Sequence, residues 1–351
     1  MKKILFSVVL FLTGVCAVAQ IPPGYYDPAY YLSGDSLRLA LHNIIKNHTT
    51  ISYTQLWNAF QSTDKKPNDK VWDIYSDIPG GTPPYEFTFN SDQCGSYSSE
   101  GDCYNREHSF PQQWFDDSSP VYTDLFQLYP TDGYVNNKRG NLPYGDVGSA
   151  NWTSQNGSKT GNCSNSGYSD KVFEPIDAFK GDLARSYLYI AVRYYGEAGN
   201  WPGSDMTIGA EPKPWAITML LNWHANDTVS QKEIDRNNAI YNIQHNRNPF
   251  IDHPEWVWNI WGPNVGMQEY PDIFEVSVYP NPATEYVNVI SEGGQLVDRI
   301  EIYSLTSALV ESVHNLSDKN SIDVSGFPEG FYTLVVYSGN VVSRKKVAVI
   351  H

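Results

Sequence analysis

Glu107 and His108 stand side by side in the stretch YNREHSFPQQWF, in a chain that has only eight histidines. Histidine titrates near neutral pH, so His108 can serve as a general base that takes a proton from water. A carboxylate such as Glu107 is a ligand type that hard divalent cations prefer. Hydrolysis of a phosphodiester needs both functions. The pair is a candidate reactive centre, although a Glu-His dipeptide alone is more often ordinary surface.

A second polar segment, TDLFQLYPTDGYVNNKRGNLPYGDV at residues 123–147, follows along the chain. We predict a strand over 124–129, a turn, and a short helix over 132–139 that ends at a glycine. In such a helix Asn136 and Arg139 are three residues apart and share a face. The helix would bring an amide oxygen and a guanidinium toward the Glu-His pair. By itself, this polar run is more typical of a solvated helix end.

The elements around these segments indicate an α+β domain, because several helices accompany few strong strands. A short strand is predicted from Val71, in VWDIYSD, and a long loop over 78–101, which is rich in Gly, Pro, Ser and Asn. Apolar residues recur at helical spacing over residues 37–45 and 176–195, which predicts a helix in each. Two further helices are predicted over 214–223 and 231–245.

The composition changes after Gly262, where PNVGMQEYPD is typical of a linker, placed over residues 263–274. The remaining residues, 275–351, have almost no helical period and alternate apolar with polar residues between Gly and Pro turns. This pattern predicts a second domain, a small β-sandwich of about 80 residues.

Residues 1–19, MKKILFSVVLFLTGVCAVA, are typical of a signal peptide, with two lysines, an apolar run and a small-x-small end. A membrane anchor is the alternative, but the run is shorter than the roughly 20 apolar residues that span a bilayer. The mature protein is expected to leave the cytoplasm with no transmembrane segment. It keeps Cys94, Cys103 and Cys163, so at most one disulfide forms within the chain, and Cys94 with Cys103 closes the shortest loop.

Charge and composition limit the classes of partner. The formal net charge of -15 argues against a protein coated in basic surface, although a local cationic groove can coexist with an acidic whole. Aromatic residues make up 14% of the chain, a content that more often serves packing than sugar stacking. The cysteines form neither a Cys-x-x-Cys motif nor a cluster with histidine in the sequence, which disfavours a zinc site.

Together, the two polar segments resemble the endonuclease I family, secreted or periplasmic nucleases of the His-Me finger (ββα-metal) superfamily. The likeness covers most of residues 25–262, including VFEPIDAFKGDLARSYLYIAVRYY and IYNIQHNRNPFIDHPEW. It implies a ββα-metal nuclease core with surrounding helices, in a domain of residues 20–262. The matching residues are Glu107-His108, Pro111, Trp114, Asp124-Leu125, Pro130 and the run from Val135 to Asn141.

The resemblance also implies roles for individual residues. His108 matches the general base, and Glu107 and Asn136 match the protein ligands of a single Mg²⁺, for which Mn²⁺ or Ca²⁺ would be substitutes. Arg139 and Asn141 match helix residues that orient the site or contact phosphate.

This chain departs from the family at one point. Members commonly carry histidine directly after the Asp-Leu pair, where Phe126 and Gln127 stand here. Gln127 is a candidate to replace the hydrogen bond of that histidine, and Arg247 a candidate to hold the core or the DNA groove. Asp182 with Arg185 is expected to form a structural ion pair, and His253 is expected to be structural.

Residues 277–350 resemble the C-terminal sorting domain of the type IX secretion system of Bacteroidota. The likeness rests on Tyr279-Pro280-Asn281-Pro282-Ala283, on Gly330-Phe331-Tyr332, and on a last strand after Lys345 and Lys346. It implies export through the outer membrane by the type IX machinery, with the tail removed or used as an anchor, and a secreted or cell-surface protein.

The leading hypothesis is a secreted, Mg²⁺-dependent endonuclease of low sequence specificity, expected to be a monomer, that cuts DNA, with RNA as a further substrate. Low specificity follows if the contacts go mainly to phosphate, which carries no sequence information. Two alternatives stay open: a nuclease fold that has lost turnover and binds extracellular nucleic acid, and a carbohydrate-binding protein.

Overall fold

The structure is a computed structural model that describes residues 21–262, 276–291, 296–304, 309–314, 317, 319–338 and 341–351. The chain divides into two compact units, Met1–Gly266 and Met267–His351. The predicted signal peptide and linker lie outside the described residues and stay predictions.

The described part of the first unit mixes helices with short antiparallel strands. Its helices are α1 Gly34–Ile45, α2 Leu56–Thr63, α3 Gly133–Arg139, α4 Lys180–Arg193, α5 Pro214–Asn226, α6 Gln231–Gln244, α7 Pro249–Asp252 and α8 Trp256–Trp261. Its strands are β1 Tyr104–His108, β2 Leu128–Asp132, β3 Val147–Thr153, β4 Lys159–Cys163, β5 Lys171–Glu174, β6 Thr207–Ile208 and β7 Glu211–Pro212. They pair as β1-β2, β3-β4-β5 and β6-β7.

The four long predicted helices are confirmed as α1, α4, α5 and α6, but the strand predicted from Val71 is wrong. Val71 makes an isolated bridge to Lys65 and donates its amide N–H to the Phe87 carbonyl at 3.0 Å, but it belongs to none of the strands in the described ranges. The chain then turns, because the Asp73 carboxylate accepts the amide N–H of Tyr75 at 2.8 Å and its carbonyl accepts that of Asp77 at 2.8 Å. A short polar side chain that bonds its own backbone in this way favours a turn over a strand.

The strand predicted over 124–129 is displaced toward the C-terminus. Asp124 begins a turn, since its carbonyl accepts the amide N–H of Gln127 at 3.2 Å. The strand starts at Leu128 and continues through Pro130, which was predicted to lie in a turn. Pro130 lies opposite Arg106 in a sheet of two strands, where a residue without an amide hydrogen is tolerated.

Helix α4 lies at the centre of the first unit. Nearly all of its residues are buried, including Tyr187, Leu188, Tyr189 and Ile190. A helix that is buried on all sides must be covered by neighbours, and α4 contacts α1, α5 and α7. The core therefore surrounds α4, whose Tyr187 hydroxyl reaches the backbone next to the Glu-His pair, as described below.

Buried charged residues of α4 pair with charged residues of α6. Asp182 and Arg185, expected to pair with each other, are 3.9 Å apart, but the shorter bonds of Arg185 go to Glu233 at 2.5 and 2.9 Å. Asp182 instead bonds Lys232 at 2.7 Å. Removing one member of such a set would leave an uncompensated buried charge, so these residues hold α4 against α6.

His224 lies next to this cluster and is buried. Its Nδ1 is 3.3 Å from Arg185 Nη1, and its Nε2 is 3.1 Å from the Pro254 carbonyl oxygen. Burial, reinforced by the Arg185 charge, lowers the pKa of His224 to about 4.

Replacing His224 with glutamine is therefore expected to change how stability depends on pH. Unfolded histidine takes up a proton below pH 6.5, while folded His224 stays neutral down to about 4. Stability that is fully present above 6.5 is thus lost as the pH falls through this window, at about 1.4 kcal/mol per pH unit and about 3 kcal/mol in all. All ten tryptophans lie at or before Trp261, so urea unfolding followed by tryptophan fluorescence reports on the first unit. If the difference in unfolding free energy between wild type and the His224→Gln variant does not vary with pH, the expectation is contradicted.

The second unit is rich in strands. Two antiparallel sheets have the orders β11-β10-β13-β14 and β12-β9-β8. Val287 and Val289 of one sheet share a single hydrophobic cluster with Ile300 and Leu334 of the other, as in the predicted β-sandwich. The strands are β8 Val276–Tyr279, β9 Tyr286–Ser291, β10 Arg299–Ser304, β11 Leu309–His314, β12 Lys319–Asp323, β13 Gly330–Ser338 and β14 Val341–Val349.

Candidate active site

A hairpin followed by a helix carries the Glu-His pair. Strands β1 and β2 are antiparallel, with Glu107 opposite Tyr129 and His108 opposite Leu128. Helix α3 begins directly after β2, and the Asp132 carboxylate caps it by accepting the amide N–H of Val135 at 2.8 Å. The first turn of α3 is thereby fixed to the end of the hairpin.

Two further contacts fix the same corner. The Asp73 carboxylate, in the turn described above, accepts the Asp132 amide N–H at 3.0 Å. A disulfide joins Cys94 to Cys103, and the Cys103 carbonyl accepts the Gly133 amide N–H at 2.9 Å. Among the pairings left open by the sequence, this is the one that closes the shortest loop, and Cys163 is free.

Glu107 is buried, with 2% of its surface exposed. Its Oε1 accepts the Tyr75 hydroxyl at 2.9 Å and Arg139 Nη1 at 3.1 Å. Burial raises the pKa of the Glu107 carboxyl to about 7, against the lowering effect of Arg139 and Tyr75. Both hydrogen bonds use Oε1. Among the described residues no group bonds Oε2, so this oxygen is available to a ligand.

His108 is held as a neutral ring with one defined tautomer. Its Nε2 lies 2.9 Å from the Tyr122 carbonyl oxygen, which can only accept, so Nε2 carries the hydrogen. The other nitrogen, Nδ1, then accepts, and the Gln112 side-chain amide lies 3.2 Å from it. Burial lowers the pKa of His108 to about 4, and the charges of Arg106 and Arg139 act in the same direction. The lone pair of Nδ1 is thus available at neutral pH.

Arg139 joins the helix to the pair. It is buried, and besides Glu107 it bonds the carbonyl oxygen of His108 at 2.8 Å and that of Ser109 at 2.6 Å. Tyr187 of α4 donates to the same Ser109 carbonyl at 2.7 Å. With its guanidinium enclosed in this way, Arg139 connects α3 to Glu107 and to the backbone of His108 and Ser109.

Asn136 is half-buried on α3, and its backbone carbonyl accepts the Gly140 amide N–H at 2.8 Å. It precedes Arg139 by three residues, so the two side chains leave the helix on one face, and that face meets Glu107. Among the described residues, the Asn136 side-chain amide makes no hydrogen bond. These residues contain no group of three or more His, Cys, Asp or Glu side chains that could hold a metal ion. One Glu with one Asn is a smaller set, suited to a hard cation that keeps several waters.

The comparisons with known proteins decide the family. The model of the endonuclease I family matches residues 33–255. The chain belongs to the endonuclease I family. A model described as a secretion system C-terminal sorting domain matches residues 277–350. The protein is therefore a nuclease with a sorting domain, and it is secreted or displayed at the cell surface. The helices in the described ranges are all too short or too polar to cross a membrane.

Relatives with known names agree with this assignment. The chain is 38% identical over 246 residues to an extracellular ribonuclease of Bacillus amyloliquefaciens, covering 68% of this chain and 78% of the relative. It is 36% identical over the same length to an extracellular ribonuclease of Bacillus subtilis (strain 168), with the same coverage. An Endonuclease-1 of Buchnera aphidicola subsp. Baizongia pistaciae (strain Bp) is 28% identical over 132 residues, 37% of this chain and 46% of that protein.

Within this endonuclease I domain, Phe126 and Gln127 have distinct roles. The Phe126 ring packs 4.6 Å from the Tyr189 ring. The Gln127 amide donates to the Val121 carbonyl at 2.9 Å, and the next residue, Tyr122, supplies the carbonyl that holds His108. Gln127 is fully buried and supports the turn behind the site.

The structure does not bring every candidate residue to the Glu-His pair. Asn141 is exposed and donates to Gln113 at 2.7 Å. Arg247 is buried and bonds Asp252 at 2.6 and 2.7 Å and Asn238 at 2.8 Å, which places it in the core rather than in a groove.

Several contacts of the site were missed from the sequence. Tyr75 bonds Glu107, Gln112 and Tyr122 bond His108, and Asp73 bonds Asp132 directly before α3. These four residues lie in turns and short 3-10 helices that have no periodic pattern. The only signal was local: Gln112 follows the pair within YNREHSFPQQWF.

Proposed function

We propose that the protein is a metal-dependent nuclease that hydrolyses phosphodiester bonds in RNA and DNA with little sequence preference, and that β1, β2 and α3 are its ββα-metal core. The observation that carries the proposal is the neutral His108 ring, whose Nδ1 accepts a hydrogen bond next to a buried carboxylate. A base and an anionic oxygen ligand are the two groups that this hydrolysis requires of the protein.

His108 is the proposed general base. A water molecule that replaces the Gln112 amide at Nδ1 could give its proton to that nitrogen while attacking phosphorus. The proton gained at Nδ1 makes the ring cationic, and Nε2 keeps its bond to the Tyr122 carbonyl, which stabilises the cation. This arrangement keeps the ring from rotating during the transfer.

Glu107 and Asn136 are the proposed ligands of one divalent cation, Mg²⁺ with Mn²⁺ or Ca²⁺ as substitutes. Their fit rests on the second oxygen of Glu107 and on the amide of Asn136, both hard donors. When bound, the cation would neutralise charge that develops on the phosphate and its leaving oxygen. Arg139 keeps Glu107 turned toward the helix face that carries Asn136.

RNA and DNA are both proposed substrates. The two Bacillus relatives are named as ribonucleases and the Buchnera relative as an endonuclease, and the first two span most of the nuclease domain. Digestion of a plasmid and of a folded RNA by the purified protein, with Mg²⁺ and with EDTA, tests the proposal. Cleavage that needs Mg²⁺ supports it. Intact substrate in both lanes, with retained binding, would instead favour the nucleic-acid-binding alternative.

Replacing Asn136 with alanine is expected to raise the Mg²⁺ concentration for half-maximal activity at least about tenfold, because one of two protein ligands is lost. Asn137→Ala is the matched control: it removes the same side chain from the next position of α3, which is exposed. The measurement is cleavage rate against Mg²⁺ concentration for both variants. Equal shifts in the two variants would show that Asn136 is not a ligand.

A further inference from the structure

Arg106 differs from the other arginines of the first unit. Residues 21–262 contain seven arginines, and in the structure six of them have a carboxylate within ion-pair distance. Arg106 has none among the described residues, in a chain whose formal net charge is -15. The six paired arginines are Arg38, Arg139, Arg185, Arg193, Arg236 and Arg247.

Aromatic rings and one carbonyl hold the guanidinium in place. Its Cζ lies 3.7 Å from the centroid of the Tyr53 ring and 4.4 Å from that of Trp57. Nη1 donates to the Tyr53 carbonyl at 3.0 Å, whereas Nε is buried without a partner. The side chain as a whole is half-buried. Stacking of this kind fixes the plane of the guanidinium. Its hydrogen bond to the described residues uses Nη1 alone, so Nη2 is the group that can bind an oxyanion.

The position of this cation is next to the proposed base. Arg106 and His108 are two residues apart on β1, so both side chains leave the same face, about 7 Å apart along the strand. The Tyr53 ring that stacks on Arg106 also lies parallel to the His108 ring, with centroids 6.0 Å apart and an interplanar angle of 18°. The Tyr122 ring lies 4.9 Å from Tyr53 and 5.3 Å from His108. One aromatic cluster thus joins the cation to the base.

We propose that Arg106 binds a phosphate of the nucleic-acid strand, the one adjacent to the phosphate that is cleaved. The guanidinium fork matches two phosphate oxygens, and its spacing from His108 is comparable to that of neighbouring phosphates along a strand. A phosphate would supply the anionic partner that the described residues do not provide. This inference rests on the proposed function, because it takes nucleic acid as the substrate.

The test is the salt dependence of cleavage by Arg106→Gln. Loss of one phosphate contact is expected to raise KM about tenfold with less than a threefold change in kcat. It should also reduce the slope of log(kcat/KM) against log[salt] by about 0.7 on single-stranded substrate. Lys319→Gln, at an exposed position of the second unit, is the control for loss of one positive charge and should keep the wild-type slope. Arg106→Lys should keep the slope but raise KM, since it retains charge without the fork.

An unchanged slope in a folded Arg106→Gln protein would overturn the proposal, as would an equal change in Lys319→Gln. If Arg106→Gln fails to fold, the KM of Arg106→Lys is the test instead. A wild-type KM in that variant would overturn the proposal. Binding of a single-stranded oligonucleotide in EDTA separates this inference from the proposed function. Salt-dependent binding that needs Arg106 in a protein that never cleaves would contradict only the proposed activity.

Discussion

Replacement of His108 by alanine is expected to lower kcat by about 10²- to 10⁴-fold, the usual contribution of a positioned general base. The neutral ring has an unprotonated Nδ1 that can accept a proton at pH 7 once water replaces the Gln112 amide, and alanine offers no group for this task. Because Glu107 and Asn136 remain, the Mg²⁺ concentration for half-maximal residual activity should stay within about threefold of wild type. Initial rates of plasmid and RNA cleavage at saturating Mg²⁺ give kcat, and a Mg²⁺ titration gives the second quantity.

His253→Ala is a suitable control for this experiment. His253 stacks on Trp256, with ring centroids 4.1 Å apart, and its Nδ1 lies 3.1 Å from Glu255, so it has a packing role away from the Glu-His pair. It should keep the wild-type kcat. A His108→Ala protein that is folded and cleaves at the wild-type rate would exclude His108 as the base.

The Arg139→Met substitution is expected to destabilise the first unit by about 3–5 kcal/mol, the usual cost of removing one partner of a buried ion pair. It removes the Arg139 donor from the buried Glu107 carboxylate, which keeps only the Tyr75 hydroxyl, and from the carbonyls of His108 and Ser109. The Ser109 carbonyl keeps the Tyr187 hydroxyl. Activity should fall as well, because the pKa of Glu107 would rise further and its protonated form is a poor metal ligand. Urea unfolding followed by tryptophan fluorescence gives the loss of stability.

The Glu107→Gln/Arg139→Met double variant separates the ion pair from the carbonyl contacts. Glutamine removes the charge that Arg139 compensates, so the double variant should be less destabilised than the sum of the single variants, by about 1–3 kcal/mol. Strict additivity would mean that Arg139 stabilises the fold through the carbonyls of His108 and Ser109 alone. Lys138→Met, the neighbouring exposed residue, should change stability by less than about 0.5 kcal/mol.

Helices α1 and α4 were predictable because their apolar residues recur at helical spacing over more than two turns. The strands near the site were not, because side-chain bonds from Asp73 and Asp124 turn the chain where the apolar pattern suggests extension. Such bonds form between single residues and leave no period in the sequence. The strand containing Pro130 was hidden for a related reason, since proline is normally a turn signal.

The candidate site was predictable in its residues but not in its contacts. Glu107, His108 and Asn136 could be selected by type and spacing through the family resemblance. Arg139 could be placed on the correct helix face, yet its enclosure by two backbone carbonyls depends on the course of the chain after His108. Arg106 carried no signal of its own, because an unpaired cation is recognised only when the partners of all the other arginines are known.

The group that orients His108 is a backbone carbonyl, that of Tyr122, rather than a side-chain carboxylate. Every amino acid at position 122 carries that carbonyl, so no single codon change there can delete it. The orientation of the His108 ring is consequently insensitive to most substitutions at position 122. It is expected to change when a substitution moves the backbone of the turn, for example at the buried Gln127, which bonds the Val121 carbonyl. Substitutions of the Tyr122 side chain that keep the backbone of this turn therefore preserve the histidine tautomer.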